Sequence, residues 1–203
     1  MATFQENFAR LLQEKLTEGQ ALLQSAAERA VRVFCEDESR FGLLPVQRRR
    51  ITLTGVKPVG PVQYQFENFY VYGAVEPTTG ESFFLELPQL NSTNFQIFLT
   101  EFAHHYQDSL NIVFMDNGSC HKAKSLVMPA NMVCLFGPPY SPELNPIERL
   151  WQALKAQLAW LLVAPIDALE AYVERLLQQY TKAAIQSLTA YPYFVQAVNA
   201  LSP

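Results

Sequence analysis

The stretch PPYSPELNPIERLW, residues 138–151, places a proline-rich loop directly before a helix that contains a tryptophan. Proline fixes its own φ angle and restricts the residue before it, so the chain is held stiffly here. Glu148 occupies the third position of the helix if the helix begins at Pro146. A stiff loop directs the side chains of the first helical turn, so it determines where the Glu148 carboxylate points.

Taken alone, this stretch favours a structural role for Glu148. Asn145 would be the N-cap, Pro146 the first helical residue and Glu148 the third, which is the spacing of a capping box. A structural role is also the simpler interpretation of two aspartates that end apolar strand-like runs. Asp37 would lie in a turn, and Asp116 is followed by Asn117-Gly118, a pair typical of turns.

The functional alternative is that the three carboxylates meet. Sites in open α/β sheets form at the carboxyl ends of strands, and a crossover helix makes a later strand parallel to an earlier one. Asp37 and Asp116 would then lie at one sheet edge, where their mutual repulsion favours a bound cation. Oxygen ligands suit Mg²⁺ or Mn²⁺, and Glu148 as a third carboxylate would allow two ions.

The order of apolar patterns predicts an α/β sheet with parallel and antiparallel parts and helices on its faces. A helix over 4–30 is expected to break at Gly19, and the helix over 91–107 to be capped by Ser92 or Thr93. The predicted strands span 31–37, 50–57, 62–76, 111–116 and 131–136, with a hairpin turn at 77–80. The other predicted helices are a short one within 122–129 and longer ones over 146–160 and 166–188; the last fifteen residues give no pattern.

Composition restricts the class of protein. The chain has 203 residues, of which 49% are hydrophobic and 17% charged, as in a folded globular protein. No apolar run is long enough for a membrane span and no signal peptide is evident, so we expect a cytoplasmic protein. The three cysteines are widely spaced, which favours small buried side chains over a disulfide or zinc site. The net charge of −4 argues against tight DNA binding by this chain alone.

Three motifs in order, EDESRFG, FMDNGSCHKAK and PPYSPELNPIERLW, resemble the catalytic domain of mariner-type DDE transposases, in particular the branch found in bacterial insertion sequences. The resemblance implies a ribonuclease H-like fold over 31–160, preceded by a helical linker or docking segment over 1–30 and followed by a helical extension over 161–203. It also implies that Asp37, Asp116 and Glu148 bind catalytic metal, which outweighs the capping interpretation.

The activity implied by the resemblance is Mg²⁺- or Mn²⁺-dependent DNA cleavage, followed by strand transfer into a TA target. Asn117, His121 and Asn145 would support the site, by bracing Asp116 or the loop or by contacting the metal-bound phosphate. Basic residues are candidates for contacts with DNA phosphates. They are Arg48, Arg49, Arg50, Lys57, Lys122 and Lys124.

The resemblance further implies a homodimer, an association with the nucleoid, and a helix-turn-helix half that recognises the transposon ends and lies outside this chain. A second interpretation therefore stays open, in which the chain is a non-catalytic transposase fragment that dimerises with intact transposase and regulates it. A third is a different ribonuclease H-like nuclease, against which LNPIERLW argues.

Overall fold

The computed structural model describes residues 2–23, 29–46, 49, 51–57, 59–60 and 62–201. They form a five-stranded sheet with helices on both faces, in agreement with the predicted fold class. The strands are β1 (Ala30–Gly42), β2 (Asn68–Val75), β3 (Ser82–Leu87), β4 (Ser109–Met115) and β5 (Met132–Phe136). The helices are α1 (Ala2–Leu23), α2 (Ser92–His105), α3 (Ile147–Gln157), α4 (Ile166–Gln179), α5 (Lys182–Thr189) and α6 (Pro192–Asn199), with a short 3₁₀ turn at Pro142–Leu144 before α3.

The strand order β3-β2-β1-β4-β5 positions the candidate aspartates. β1 runs antiparallel to β2 and parallel to β4, because the connection through α2 returns the chain to the same end of the sheet. Cys35 pairs with Phe114. Two residues further along each strand, this register places Asp37 beside Asp116, as predicted. The prediction that Asp37 ends its strand or lies in a turn is wrong, because β1 stays paired with β2 as far as Gly42.

Alternation along β1 separates two cores. Cys35 belongs to the core under α1, α3 and the C-terminal helices, while Phe34 belongs to the core under α2. Because successive side chains point to opposite faces, Asp37 lies on the α3 side of the sheet, and Glu36 and Glu38 lie on the α2 side. Trp151 of α3 lies over Gly73 of β2, where an added Cβ would come within 2.7 Å of the indole.

α1 is part of the main core. Phe8, Leu12 and Leu16 are fully or almost fully buried, and the ring of Phe8 lies 5.6 Å from Phe114 of β4 and 5.1 Å from Phe194 of α6. The expected break at Gly19 is wrong, since the helix continues past it. The missing side chain lets α1 approach β4, because a Cβ at Gly19 would come within 2.8 Å of the Leu110 side chain.

Two predicted elements are absent from the described residues. The strand expected over 50–57 is wrong, because the described part of 51–57 is an exposed loop without a neighbouring strand, and the strand expected over 62–76 begins only at Asn68. The helix expected within 122–129 is also wrong. Turns replace it, and the Gln96 side chain accepts from the Val127 amide and donates to its carbonyl, at 2.7 and 2.9 Å.

Helix boundaries also differ from the predictions. Asn91, not Ser92 or Thr93, caps α2 by accepting a hydrogen bond from the Asn94 amide. The helix predicted over 166–188 is two helices, because Thr181 starts α5 as its N-cap. Apolar side chains of α6, in the part of the chain that gave no pattern, pack into the main core.

We expect replacement of Gly80 by alanine to destabilise the fold much more than the same change at Gly55. Both glycines have positive φ, which costs an L-residue about 1–2 kcal/mol. At Gly55 an added Cβ meets nothing within 4 Å, whereas at Gly80 it would lie 1.9 Å from the Lys182 carbonyl oxygen at the start of α5. Urea denaturation of both variants measures the difference; equal losses would mean that the β2–β3 turn does not pack against α5.

A pH dependence of stability is expected at Glu86 on β3. Although Glu86 is largely exposed, partial burial, and then the charges of Glu170 and Glu174 on α4, raise its pKa to about 7. Folding therefore favours the protonated form, so this contribution is present below the ordinary carboxyl pKa and is lost as the pH rises through about 7. Glu86→Gln should raise the Tm at pH 8 but not at pH 4.5. A Tm gain that is the same at both pH values would contradict this.

Candidate active site

Asp37 and Asp116 extend from the neighbouring parallel strands β1 and β4, at the point where β4 ends and its pairing with β1 stops. Asp37 is partly buried in β1, and Asp116 follows the last residue of β4 and is exposed. One carboxylate oxygen of Asp116 accepts a hydrogen bond from the Gly118 amide at 2.7 Å. An added Cβ at Gly118 would lie 2.9 Å from that same oxygen, so a larger residue there would displace the Asp116 carboxylate.

The proline loop brings Glu148 to these aspartates. It leaves β5 at Gly137, whose amide donates to the Met115 carbonyl at 2.8 Å, and it ends at the buried Ile147. The side-chain amide of Asn145 donates to the backbone carbonyl of Glu36 at 2.7 Å. The start of α3 is thereby fastened to β1 next to Asp37.

The capping box that the spacing suggested is not formed. The side-chain oxygen of Asn145, which would have to accept the capping hydrogen bond, has no hydrogen-bond partner, and Pro146 stands at the N-cap with no side-chain capping bond. The backbone amide of Glu148 donates instead to the Asn145 carbonyl at 3.2 Å. Nothing in the helix terminus therefore requires the Glu148 carboxylate, which faces the aspartates.

One open cavity of about 700 Å³ contains the three carboxyl groups. Asp37, Asp116 and Glu148 line it together with the proline loop, Asn117, Asn145 and Lys122. Tyr140, fully exposed and with φ of 55°, stands on its loop side. The cavity opens to solvent and three carboxyl groups line it, so a cation bound there would offset their mutual repulsion.

Burial and like charges act together on the carboxyl groups. Burial raises the pKa of Asp37 well above its ordinary value, and the charges of Glu148, Glu38 and Asp116 raise it further. The pKa of Glu148 is also raised, first by burial, with Lys155 opposing and Asp116 adding to the shift. A divalent cation among these oxygens would stabilise the ionised forms, and the donor set is the one that Mg²⁺ and Mn²⁺ prefer.

Lys155 is a cation next to the site that the sequence did not point to, and it lines a neighbouring cavity and not the carboxylate cavity itself. It lies on α3 seven residues after Glu148, so both project from the same face of the helix. Burial lowers the pKa of Lys155, while the charges of Glu148 and Asp37 raise it. In the sequence, the seven-residue spacing between Glu148 and Lys155 was the signal that the two side chains share a helix face.

His121 and Asn117 hold the end of β4. His121 is 4% exposed, and its Nδ1 lies 2.8 Å from a carboxylate oxygen of Asp116. Its Nε2 lies 3.0 Å from Glu38 on the α2 side of the sheet. The side-chain amide of Asn117 donates to the Gly137 carbonyl and so links β4 to the proline loop.

Behind the aspartates lies a second polar group that the sequence analysis missed. Glu36, Glu38, Cys120 and His121 meet on the α2 side of the sheet. The prediction that the cysteines are small buried side chains is confirmed in part. All three thiols are free, and Cys35 and Cys134 are buried, but Cys120 is partly exposed beside His121. The signal for this group in the sequence was Glu36-Asp37-Glu38 in β1, because strand alternation places both glutamates on the face opposite Asp37.

The basic candidates are spread over different parts of the surface. Lys122 lines the cavity, with its Nζ 4.9 Å from the centre of the Phe136 ring. Arg49, Lys57 and Lys124 are exposed and do not line it. Arg48 and Arg50 lie outside the described residues.

The strand order, the helices on both faces and the carboxylates at one edge define a ribonuclease H-like domain. The family model of the DDE superfamily endonucleases matches residues 32–170, and the chain belongs to that family. It is 34% identical over 87 residues to the uncharacterized protein y4pE/y4sA of Sinorhizobium fredii, a match that spans 42% of this chain and 64% of that protein.

Solved structures of the Mos1 transposase have the same fold. The pre-cleavage Mos1 transpososome superposes with a TM-score of 0.64, at 14% identity, over 95% of this chain and 63% of that one. The Mos1 strand transfer complex gives a TM-score of 0.63 at the same identity, over 96% and 63%. The chain thus spans less than two thirds of the Mos1 chain, and at this identity the likeness establishes the fold. No helix in the described part of the chain is long and apolar enough to cross a membrane.

Proposed function

We propose that this chain is the catalytic domain of a DDE transposase, which cleaves DNA at the ends of an insertion sequence and transfers the strand into TA target sites. The observation that carries the proposal is the convergence of Asp37, Asp116 and Glu148, from β1, β4 and α3, on one open cavity. Membership of the DDE superfamily endonucleases and the Mos1-like fold support it. The target sequence is an expectation from the resemblance to mariner-type transposases.

The three carboxylates would hold the divalent cations, and their number and chemistry match a pair of Mg²⁺ or Mn²⁺ ions. Such ions activate water and stabilise the leaving oxygen in phosphodiester hydrolysis. Structures of Mos1 paired-end complexes with Mn and with Mg are known. The residues of this chain contribute the geometry, because Asn145 fixes the start of α3 and His121 fixes Asp116.

The reaction has two steps at the same carboxylates. In the first, water attacks the phosphorus at the transposon end, the bond to the 3′-oxygen breaks, and a free 3′-hydroxyl is released. In the second, that hydroxyl attacks a target phosphodiester and displaces another 3′-oxygen. Neither step requires a covalent bond to the protein, and the described cavity is open enough for an extended strand.

DNA is the proposed substrate, although the chain carries a net charge of −4. We expect Lys122 at the cavity and the exposed Arg49, Lys57 and Lys124 to contact phosphates, together with Arg48 and Arg50. Most of the affinity is expected from a helix-turn-helix module outside these residues. Neutralising Lys122 should weaken DNA binding and reduce its salt dependence.

A homodimer is part of the proposal. The described residues between 43 and 67 expose many apolar side chains, and clusters of this kind mark interaction surfaces. The most exposed are Ile51, Leu53, Val59, Tyr64 and Phe66. Sedimentation velocity should show a dimer whose dissociation is promoted by Ile51→Ser with Leu53→Ser; an unchanged sedimentation profile would exclude this surface.

The test of the activity is nicking of a supercoiled plasmid in Mg²⁺ or Mn²⁺, by wild type and Asp116→Asn, each alone and fused to a helix-turn-helix half. Metal-dependent nicking that disappears in the variant is the expected result. If the fused wild type is inert although it binds metal, the chain is better explained as a regulatory fragment that dimerises with intact transposase. That alternative shares the fold but does not require the three carboxylates to converge.

A further inference from the structure

We propose that Glu36, Glu38, Cys120 and His121 form a second metal site, of the zinc type, on the face of the sheet opposite the catalytic cavity. This site is distinct from the proposed Mg²⁺ site and does not depend on nuclease activity. It lies between β1, which supplies both glutamates, and the turn after β4, which supplies the cysteine and the histidine.

The donor atoms already surround one point. A thiol, an imidazole nitrogen and a carboxylate oxygen, from Cys120, His121 and Glu38, lie within 4.8 Å of one another. Zinc bonds of about 2.0–2.3 Å in a tetrahedron require donor spacings of roughly 3.3–3.8 Å, so small side-chain movements would close the site. Nε2 of His121 is 3.0 Å from Glu38 and 3.9 Å from Glu36, which brings a fourth donor into reach.

Glu36 is the independent observation that a ligand belongs here. It is 0% exposed, and neither of its carboxylate oxygens has a hydrogen-bond partner. Burying a carboxylate without hydrogen bonds costs several kcal/mol, which is tolerated only when the group is protonated or meets a cation. Its nearest neighbours include Glu38 and His121, so a cation placed between them would neutralise both carboxylates.

The mixed donor set selects the kind of metal. Mg²⁺ and Ca²⁺ take oxygen ligands, whereas a thiolate and an imidazole favour Zn²⁺ and similar transition metals. His121 also has the usual surroundings of a zinc ligand: with Nε2 towards the metal, its Nδ1 donates to Asp116 at 2.8 Å. A metal here would orient Asp116 from behind, through His121.

The experiment uses the full chain, reduced and stripped of metal, and titrated with Co²⁺ as a probe for Zn²⁺. The expected result is about one Co²⁺ per chain, with a thiolate-to-cobalt charge-transfer band that stoichiometric Zn²⁺ removes and excess Mg²⁺ does not. Cys120→Ser should abolish the band, and Glu38→Gln should weaken Co²⁺ binding about tenfold or more. Zn²⁺ should raise the Tm of the wild type but not that of Cys120→Ser.

Two controls separate the possible outcomes. Cys35→Ala removes a buried thiol on the opposite face and should keep the band, and Glu148→Gln should keep the band while losing nuclease activity. If the protein lacks nuclease activity, the proposed zinc site is therefore not affected by that result. Absence of the band in folded wild type, or its persistence in Cys120→Ser, would overturn the site and leave a hydrogen-bonded Glu38–His121 pair.

Discussion

Glu148→Gln is expected to abolish metal-dependent nicking, by about 10³-fold or more, while leaving the Tm nearly unchanged. The carboxylate lines the cavity with Asp37 and Asp116, and a neutral amide there cannot hold a divalent cation in the same way. Removing one member of a group that acts as a unit removes most of its catalysis. Plasmid nicking and thermal unfolding of the same preparation measure both quantities.

This substitution separates the two interpretations of Glu148. A capping box accepts glutamine as readily as glutamate, so a purely structural Glu148 would tolerate the change in both assays. The matched control is Glu143→Gln, in the 3₁₀ turn of the same loop, where the side chain is exposed and is not among the residues that line the main cavity. We expect Glu143→Gln to retain activity. Full activity of Glu148→Gln would rule out a metal-binding role.

Phe8→Ala is expected to destabilise the whole domain by about 3–5 kcal/mol, the usual cost of truncating a buried aromatic side chain. Phe8 is 0% exposed and lies edge-on to Phe114 of β4 and against Phe194 of α6. Its loss leaves a cavity between the first helix, the central sheet and the last helix. The midpoint of urea denaturation, followed by far-UV circular dichroism, measures the loss.

Gln5→Ala is the matched control, since Gln5 is exposed on the same helix. It should change the free energy of unfolding by no more than about 0.5 kcal/mol. If Phe8→Ala were equally mild, α1 would be a separate docking segment and not a part of the core. A single cooperative transition in both variants is expected if α1, the sheet and α6 unfold together.

Local sequence signals identified most of the elements that carry the site. The apolar runs before Asp37 and Asp116 correctly predicted β1 and β4, although β1 continues past Asp37 to Gly42, and the crossover argument correctly made the two strands parallel. The strand predicted over 50–57 failed because β-branched residues favour a strand only when a neighbouring strand is available. Gly19 failed as a helix break because packing on Leu110 outweighs its low helix propensity.

The sequence by itself determined which side chains reach the edge of the sheet, because strand alternation and the proline loop act over a few residues. The residues around Glu148 fit both a cap and a ligand, and only the family resemblance favoured the ligand. The tertiary structure removed the cap, since the Asn145 side-chain oxygen accepts no hydrogen bond while its amide donates to Glu36, a residue far away in the chain. The meeting of Glu36 and Glu38 with Cys120 and His121 likewise required the sheet, because proximity across strands depends on register and not on local pattern.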